Sequence, residues 1–315
     1  MKVTVSQIQH TGDIAIMSLQ PKSGTTLAPY EPGAHIDITL DQGIIRQYSL
    51  CSADSNEYRI AVKLEPDSRG GSKALHQIKV GEELEISEPR NNFELDYHAS
   101  FYVLIAAGVG IAPIYSMARS LKARGAKYTL LYFARSEEQA AFFDELAQEH
   151  QDALIPVFGS GRRDVQPALY RRLLSQSPDD TAVYVCGPTG FMDTARSVAA
   201  EFLAKERIHY EAFEADPEVL HRGETLSFVV KFEGETYEIP ADQSVLSVFD
   251  AEDIPVLSSC EEGTCGNCVM RVVGGEPLHR DSVLSDQQHK DGYFATCVSR
   301  ATSPELHLER INRRR

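Results

Sequence analysis

The sequence predicts a multidomain protein made of an antiparallel β-barrel, an α/β domain on a parallel sheet, and a small α+β (β-grasp-like) domain. Three observations predict it. The first hundred residues read as short strands parted by turn-formers, with almost no helix. From about residue 100, strands alternate with helical patterns, the signature of a parallel sheet covered by helices. After a Pro- and Gly-containing stretch the strands resume, around a cysteine-rich loop. At 315 residues, 42% hydrophobic and 24% charged, the chain is long enough for two or three cores.

In order, the barrel strands are expected over 3–9, 14–19, 35–40, 44–49, 58–62 and 84–86, several of them alternating apolar and polar residues. Thr11-Gly12-Asp13, Pro32-Gly33 and Asp41-Gln42-Gly43 supply turns between them, and only 72–77 looks helical. The parallel strands are expected over 101–107, 128–133, 154–158, 182–185 and 208–212. Apolar residues recur at three- and four-residue spacing over 137–149 and 191–205, which predicts helices there. Residues 215–224 carry Pro217 and Gly223 without periodicity and read as a linker. Strands over 226–232 and 236–239 and a helix over 245–251 follow. The expected domains are therefore 1–98, 99–214 and 225–315, joined through 215–224.

A formal net charge of −15 argues against binding nucleic acid through its phosphates, which needs a basic face. Residues 1–10 lack the basic-then-apolar pattern of a secretory signal, so the expected compartment is the cytoplasm. Residues 101–118 run eighteen positions without a charge, but Gly108, Gly110 and Pro113 interrupt them, which suits a buried strand, turn and helix better than a membrane span. Six cysteines are enough for three disulfides; a reducing compartment and three cysteines within nine residues point instead to a metal site.

Cys260-x4-Cys265-x2-Cys268 with Cys297 later in the chain has plant-type [2Fe–2S] spacing. Four thiolates offset the charge of two ferric ions and two sulfides, and Gly263 and Gly266 let the loop curl so that backbone N–H groups point at sulfur. The alternatives are zinc and free buried thiols; structural zinc favours paired C-x2-C knuckles, and only one is present. The segments 258–268 and 294–297 resemble the two signature stretches of plant-type ferredoxins, and Asp281-Ser282-Val283-Leu284-Ser285 resembles the stretch between them.

Gly108-Val109-Gly110-Ile111-Ala112-Pro113 follows an apolar strand and opens a helix, where glycines allow close approach of a pyrophosphate and the helix N-terminus favours its charge. Pro113 stands where a full dinucleotide fingerprint has its third glycine, and proline suits a first turn. A plain tight turn is the alternative. Cys186-Gly187-Pro188 ends another apolar strand; alone, Cys186 would read as simply buried. Together the two segments resemble the nicotinamide module of the ferredoxin reductase superfamily. That resemblance places Cys186 and Gly187 beside the nicotinamide and Ala134-Arg135-Ser136 near its ribose. Arg162 and Arg163 suit a 2′-phosphate or a solvated basic turn equally; NADH is the expected donor.

A hydride brings two electrons and the cluster takes one, so something must split the pair, and a flavin does this. Arg46-Gln47-Tyr48-Ser49 offers a charge for a phosphate, an aromatic face and a hydroxyl. Arg69-Gly70-Gly71-Ser72 offers a second phosphate-capable turn. Either alone reads equally as ordinary surface; together they resemble the flavin site of the same superfamily, in which Phe213 would shield the ring and a core phenylalanine is the alternative.

The order of barrel, nucleotide module and C-terminal ferredoxin resembles the phthalate dioxygenase reductase and vanillate demethylase reductase family, from Pro32-Gly33-Ala34-His35 to Cys297. The resemblance implies FMN, NADH and a [2Fe–2S] cluster. It also implies Ser49 and Cys186 at the site of hydride transfer, and a separate terminal oxygenase, of the Rieske type, as partner. A donor to a diiron or haem monooxygenase is the nearer alternative, and a non-catalytic redox sensor the distant one. A monomer is expected. Glu261 and Glu262 on the cysteine loop are candidate docking contacts, and the basic tail 310–315 reads as solvated.

Overall fold

The computed structural model describes residues 1–51, 56–66, 70–159, 164–215, 217–223 and 225–311. Arg69, Arg162, Arg163 and the tail beyond Ile311 lie outside them. The chain forms two compact units, Met1–Glu211 and Ala212–Arg315.

The first unit holds two sheets. β1 (Lys2–Thr11), β2 (Ile14–Pro21), β3 (His35–Thr39), β4 (Ile45–Ser49), β5 (Tyr58–Lys63) and β6 (Glu83–Ile86) form an antiparallel sheet in the order β4-β3-β6-β1-β2-β5. The Leu50–Ile60 bridge and the Cys51 N–H to Arg59 carbonyl bond of 2.9 Å join its two edges, so the sheet closes into a barrel. Alternation drives this: Val3, Val5, Ile36, Ile38, Ile60 and Val62 all point into one core. The short helix α1 (Gly71–Gln77) buries Leu75 against it.

The second sheet is parallel throughout: β7 (Phe101–Ala107), β8 (Lys127–Ala134), β9 (Leu154–Phe158), β10 (Thr181–Cys186) and β11 (Ile208–Glu211), in the order β11-β10-β7-β8-β9. β7 and β10 are apolar almost without interruption because both their faces are covered. The helices are α2 (Ile111–Ala123), α3 (Phe143–Glu149), α4 (Val165–Leu173) and α5 (Thr189–Ala200).

The helix expected over 137–149 is broken. A single turn at Glu137–Gln139 ends, Phe142 adopts φ 61°, and α3 starts only at Phe143. Ala140, Ala141 and Phe142, between the two pieces, are consecutive and all buried. Likewise α5 stops at Ala200, short of residue 205, and a separate turn covers Lys205–Arg207.

Two of the contacts between the barrel and the parallel-sheet half lie on α2 and α3. The Ser116 hydroxyl of α2 accepts the Gly33 N–H at 3.1 Å. Arg59 of β5 pairs with both carboxylate oxygens of Glu145 on α3, at 2.7 and 2.8 Å, a bidentate geometry.

In the second unit, α6 (Pro217–Leu220) is a single helical turn within the segment read as a linker. A sheet follows in the order β13-β12-β18-β14-β16, from β12 (Phe228–Phe232), β13 (Glu235–Ile239), β14 (Val269–Gly274), β16 (Tyr293–Ala295) and β18 (Glu305–Glu309). β15 (Pro277–Leu278) and β17 (Arg300–Ala301) pair separately. α7 (Val245–Ala251) packs Val245, Val248 and Phe249 onto the sheet, and α8 (Asp286–Lys290) precedes β16. Both helices begin with a capping box, Ser244 with Ser247 and Ser285 with Gln288. No helix among the described residues is long and apolar enough to cross a membrane.

Candidate functional site

The strand order reverses between β7 and β10, and in open parallel sheets that reversal opens a ligand crevice at the carboxyl ends of the strands. The residues predicted to bind the nucleotide meet there. Gly108 takes φ +55° with nothing within 4 Å of where a Cβ would lie, so the turn has open space above it. Gly110 is needed for the opposite reason: a Cβ would sit 2.4 Å from the Cys186 carbonyl oxygen and 2.7 Å from the Gly187 nitrogen. The two loops therefore touch backbone to backbone. Pro113 is buried in the first turn of α2, Pro188 caps α5, and Ser136 closes β8 beside Glu138, whose carboxylate accepts its hydroxyl.

Cys186 is fully buried, and burial reinforced by the nearby Glu211 pushes its thiol far up, so it stays protonated. It stands in register with Glu211 on the adjacent strand. The Ser49 hydroxyl, from the end of barrel strand β4, donates to Glu211 Oε2 at 3.2 Å. Burial pushes the Glu211 carboxyl up to about 8, with the Ser49 hydrogen bond opposing. The two residues assigned to hydride transfer, Ser49 and Cys186, are thus gathered around one carboxyl that is protonated at neutral pH. Sequence reading missed Glu211. Carboxylates are common at strand ends, and only its register opposite Cys186 sets this one apart.

The phosphate-binding candidates converge in the same way. Gly71 has no room for a Cβ, which would lie 2.5 Å from Arg46 Cγ and 2.8 Å from Arg46 Nε, so the Arg46 side chain crosses the start of α1. Ser72 accepts the Glu65 N–H at 3.1 Å, leaving its own proton to donate. A positive group, a donor hydroxyl and a helix start meet at one point, which fits a terminal phosphate. Tyr48 lies half-buried against the barrel core beside them. Gln47 faces the other way on the strand, its amide donating to Asp37 Oδ1 at 3.0 Å. Phe213, two residues past β11, is 40% exposed.

The four cysteines of the second unit also come together. All six cysteines of the chain are free. Cys265 hydrogen-bonds to Cys260 and Cys297 to Cys268, drawing Cys260 and Cys268 toward thiolate. Backbone N–H groups of Glu262 and Asn267 donate to the sulfurs of Cys260 and Cys265 at 3.3 and 3.4 Å, and that of Gly263 to Cys297. Glu261, Gly263 and Gly266 all take positive φ, which curls the loop around the sulfurs. Thiols converging under inward-pointing N–H donors fit an iron–sulfur cluster. The Asp281–Ser285 stretch holds this loop from behind: Ser282 and Val283 N–H groups both donate to the Gly263 carbonyl, at 3.0 and 3.2 Å. A groove of about 450 Å³ runs beside it, lined among others by Asp250, Asp253, Glu261 and Cys297.

A barrel with a phosphate corner, a parallel sheet with a nucleotide crevice and a four-cysteine loop together define an iron–sulfur oxidoreductase that draws on a pyridine nucleotide. Family comparison agrees. The profile described as "Oxidoreductase NAD-binding domain" matches residues 104–197, and "2Fe-2S iron-sulfur cluster binding domain" matches residues 229–302. Vanillate O-demethylase oxidoreductase of Pseudomonas sp. (strain HR199 / DSM 7063) is 41% identical over 94% of this chain and 95% of its own. A solved structure of phthalate dioxygenase reductase, described as modular, for electron transfer from pyridine nucleotides to [2Fe-2S], is 36% identical with a TM-score of 0.71. The match covers 98% of this chain and 97% of that one. An intact type IV self-sufficient cytochrome P450 monooxygenase is 35% identical with a TM-score of 0.87, over 98% of this chain and 40% of that one. The chain belongs to the family of vanillate O-demethylase oxidoreductase and phthalate dioxygenase reductase.

Proposed function

We propose that this chain is the reductase component of a multicomponent oxygenase, moving electrons from NADH through FMN to a [2Fe–2S] cluster and on to a terminal oxygenase. The observation that carries this reading is the meeting of Ser49, Cys186 and Glu211 where the barrel joins the nucleotide crevice, on a chain that also gathers four cysteines. Arg46, Gly71 and Ser72 would hold the flavin phosphate and Tyr48 would face its ring. FMN, when bound, accepts a pair of electrons and passes them on singly.

Gly108, Gly110 and the start of α2 receive the pyrophosphate, and Cys186, Gly187 and Pro188 position the nicotinamide. Hydride transfer needs close, aligned atoms, and the backbone contact between Gly110 and Cys186 keeps the two loops from drifting apart. Glu211, neutral at pH 7, puts no negative charge where negative charge arrives, and it orients the Ser49 hydroxyl. Ser136 lies toward the ribose, and Phe213 is assigned the shielding of the flavin. Cys260, Cys265, Cys268 and Cys297 hold the cluster. The functional domains run 1–98, 99–214 and 225–315, with 215–224 between.

The partner is a Rieske non-haem iron oxygenase, which docks on the acidic groove of Asp250, Asp253 and Glu261 beside Cys297. The protein works as a cytoplasmic monomer. Anaerobic titration with NADH tests the core of this reading: flavin bleaching followed by loss of the cluster's visible bands supports it, and a chain without either chromophore rejects it. The likeness to the self-sufficient P450 favours a second partner, a haem monooxygenase. Reconstitution with each oxygenase type distinguishes the two by substrate turnover.

A further inference from the structure

Behind the cysteine loop, three side chains that take no part in holding the cluster converge. The Asp281 side chain is wholly buried. His289, on α8, places Nε2 at 3.2 and 3.1 Å from its two carboxylate oxygens. His279 places Nδ1 at 3.9 Å from Oδ1. The two imidazoles stack at 3.8 Å between centroids and 18° between planes. The ligand atoms of the three residues all lie within 4.8 Å of one another.

We propose that His279, Asp281 and His289 form a binding site for a divalent transition-metal ion of the zinc class, separate from the iron–sulfur cluster.

The donor set is two imidazole nitrogens and one carboxylate oxygen, which suits a borderline ion such as Zn²⁺ and leaves a fourth position for water. Ligand atoms around a tetrahedral zinc lie about 3.3 Å apart, given bonds of about 2.0–2.1 Å. His289 Nε2, hydrogen-bonded to the carboxylate at 3.1 and 3.2 Å, lies close to that spacing, and His279 Nδ1 at 3.9 Å lies somewhat beyond it. His279 Nδ1 is buried and has no hydrogen-bond partner, so a polar atom aimed at the carboxylate is left for an ion to satisfy. Asp281 is oriented from its far side: Leu284 N–H donates to Oδ2 at 3.1 Å and the Ser299 hydroxyl to Oδ1 at 3.3 Å. Outer partners of this kind hold a ligating carboxylate in place. The capping box of Ser285 and Gln288 likewise fixes the one turn that carries His289.

The His279 and His289 side chains are 18% and 22% exposed, so an ion reaches them from solvent. An imidazole nitrogen binds a metal through the lone pair in its ring plane, so binding an ion turns His279 about Cβ–Cγ out of the stack it makes with His289. Asp281 adjoins the Ser282 and Val283 N–H groups that grip Gly263, so the ion would brace the cysteine loop from behind.

The test is zinc binding to the full-length holoprotein, followed by equilibrium dialysis against ~50 µM free Zn²⁺ with metal analysis. Visible absorbance and iron content are recorded throughout to show the cluster intact. The expected result is about one zinc per chain, bound at least ~10-fold more weakly by His279→Gln and by His289→Gln. Both variants keep a hydrogen-bonding side chain. His307→Gln, on β18, should bind zinc as the wild type does. No zinc on the wild type, or equal zinc on the wild type and both variants, overturns the proposal. Either outcome leaves the electron-transfer reading untouched, because iron and flavin are read separately.

Discussion

Burial keeps the protons of both Cys186 and Glu211 in place. Held protonated, Cys186 is no nucleophile; in the role proposed for it, it is a soft, compact wall against the nicotinamide. Cys186→Ala is expected to slow flavin reduction by NADH roughly 10- to 100-fold while leaving the cluster's visible bands unchanged, since a small loss of alignment is costly. Rapid-mixing measurement of flavin bleaching checks this, and an unchanged rate removes Cys186 from the role. Glu211 makes a claim about pH. Its carboxyl is raised from 4.5 to about 8 in the folded protein, so the unfolded chain gives up that proton first. Its contribution to stability is therefore complete below pH ~4.5 and is lost as pH rises through about 8, by on the order of a few kcal/mol. Urea unfolding of wild type and Glu211→Gln at pH 5 and pH 9 reads this out. The glutamine variant should lose much less stability between the two.

Elements are held here by glycines where two backbones meet. Gly263 has φ +72°, and a Cβ there would lie 2.6 Å from Val298 Cγ2 and 3.0 Å from the Asp281 Cα. Gly263→Ala combines a strained backbone with a clash against a neighbouring chain segment. It is expected to lower iron content per chain to well under half while flavin content stays normal. Metal analysis of the purified variant decides it, and full iron occupancy would mean that the loop yields. Helix boundaries obey the same logic of space. The pattern over 137–149 has helical spacing, yet the chain turns at Phe142, which takes φ 61°, and Ala140, Ala141 and Phe142 are buried together there. Local periodicity reports which faces are apolar; it is silent on where the backbone leaves the helix to reach its neighbours.

On the scale of the whole molecule, the chain divides after Glu211, and each unit has its own core. A chain ending at Glu211 is expected to keep flavin and to reduce ferricyanide with NADH at about the wild-type rate. It should lose nearly all reduction of acceptors that draw from the cluster. Comparing the two assays on the shortened and full chains checks the division, and a shortened chain that fails to retain flavin would show the units to be interdependent.

The sequence by itself determined the three-part architecture, the apolar strand Phe101–Ala107 with its glycine turn, and the spacing of the four cysteines that the fold gathers. These are local patterns: periods of two and of three to four residues, and spacings within one loop, survive without knowledge of the fold. The tertiary structure alone decided which carboxyl stands with Ser49 and Cys186, because Ser49 and Glu211 are 162 residues apart. It also decided that two histidines close over Asp281, one from the end of β15 and one from α8. Burial and contact between distant residues depend on packing, and packing gives Glu211 its raised pKa and leaves His279 its unpartnered nitrogen.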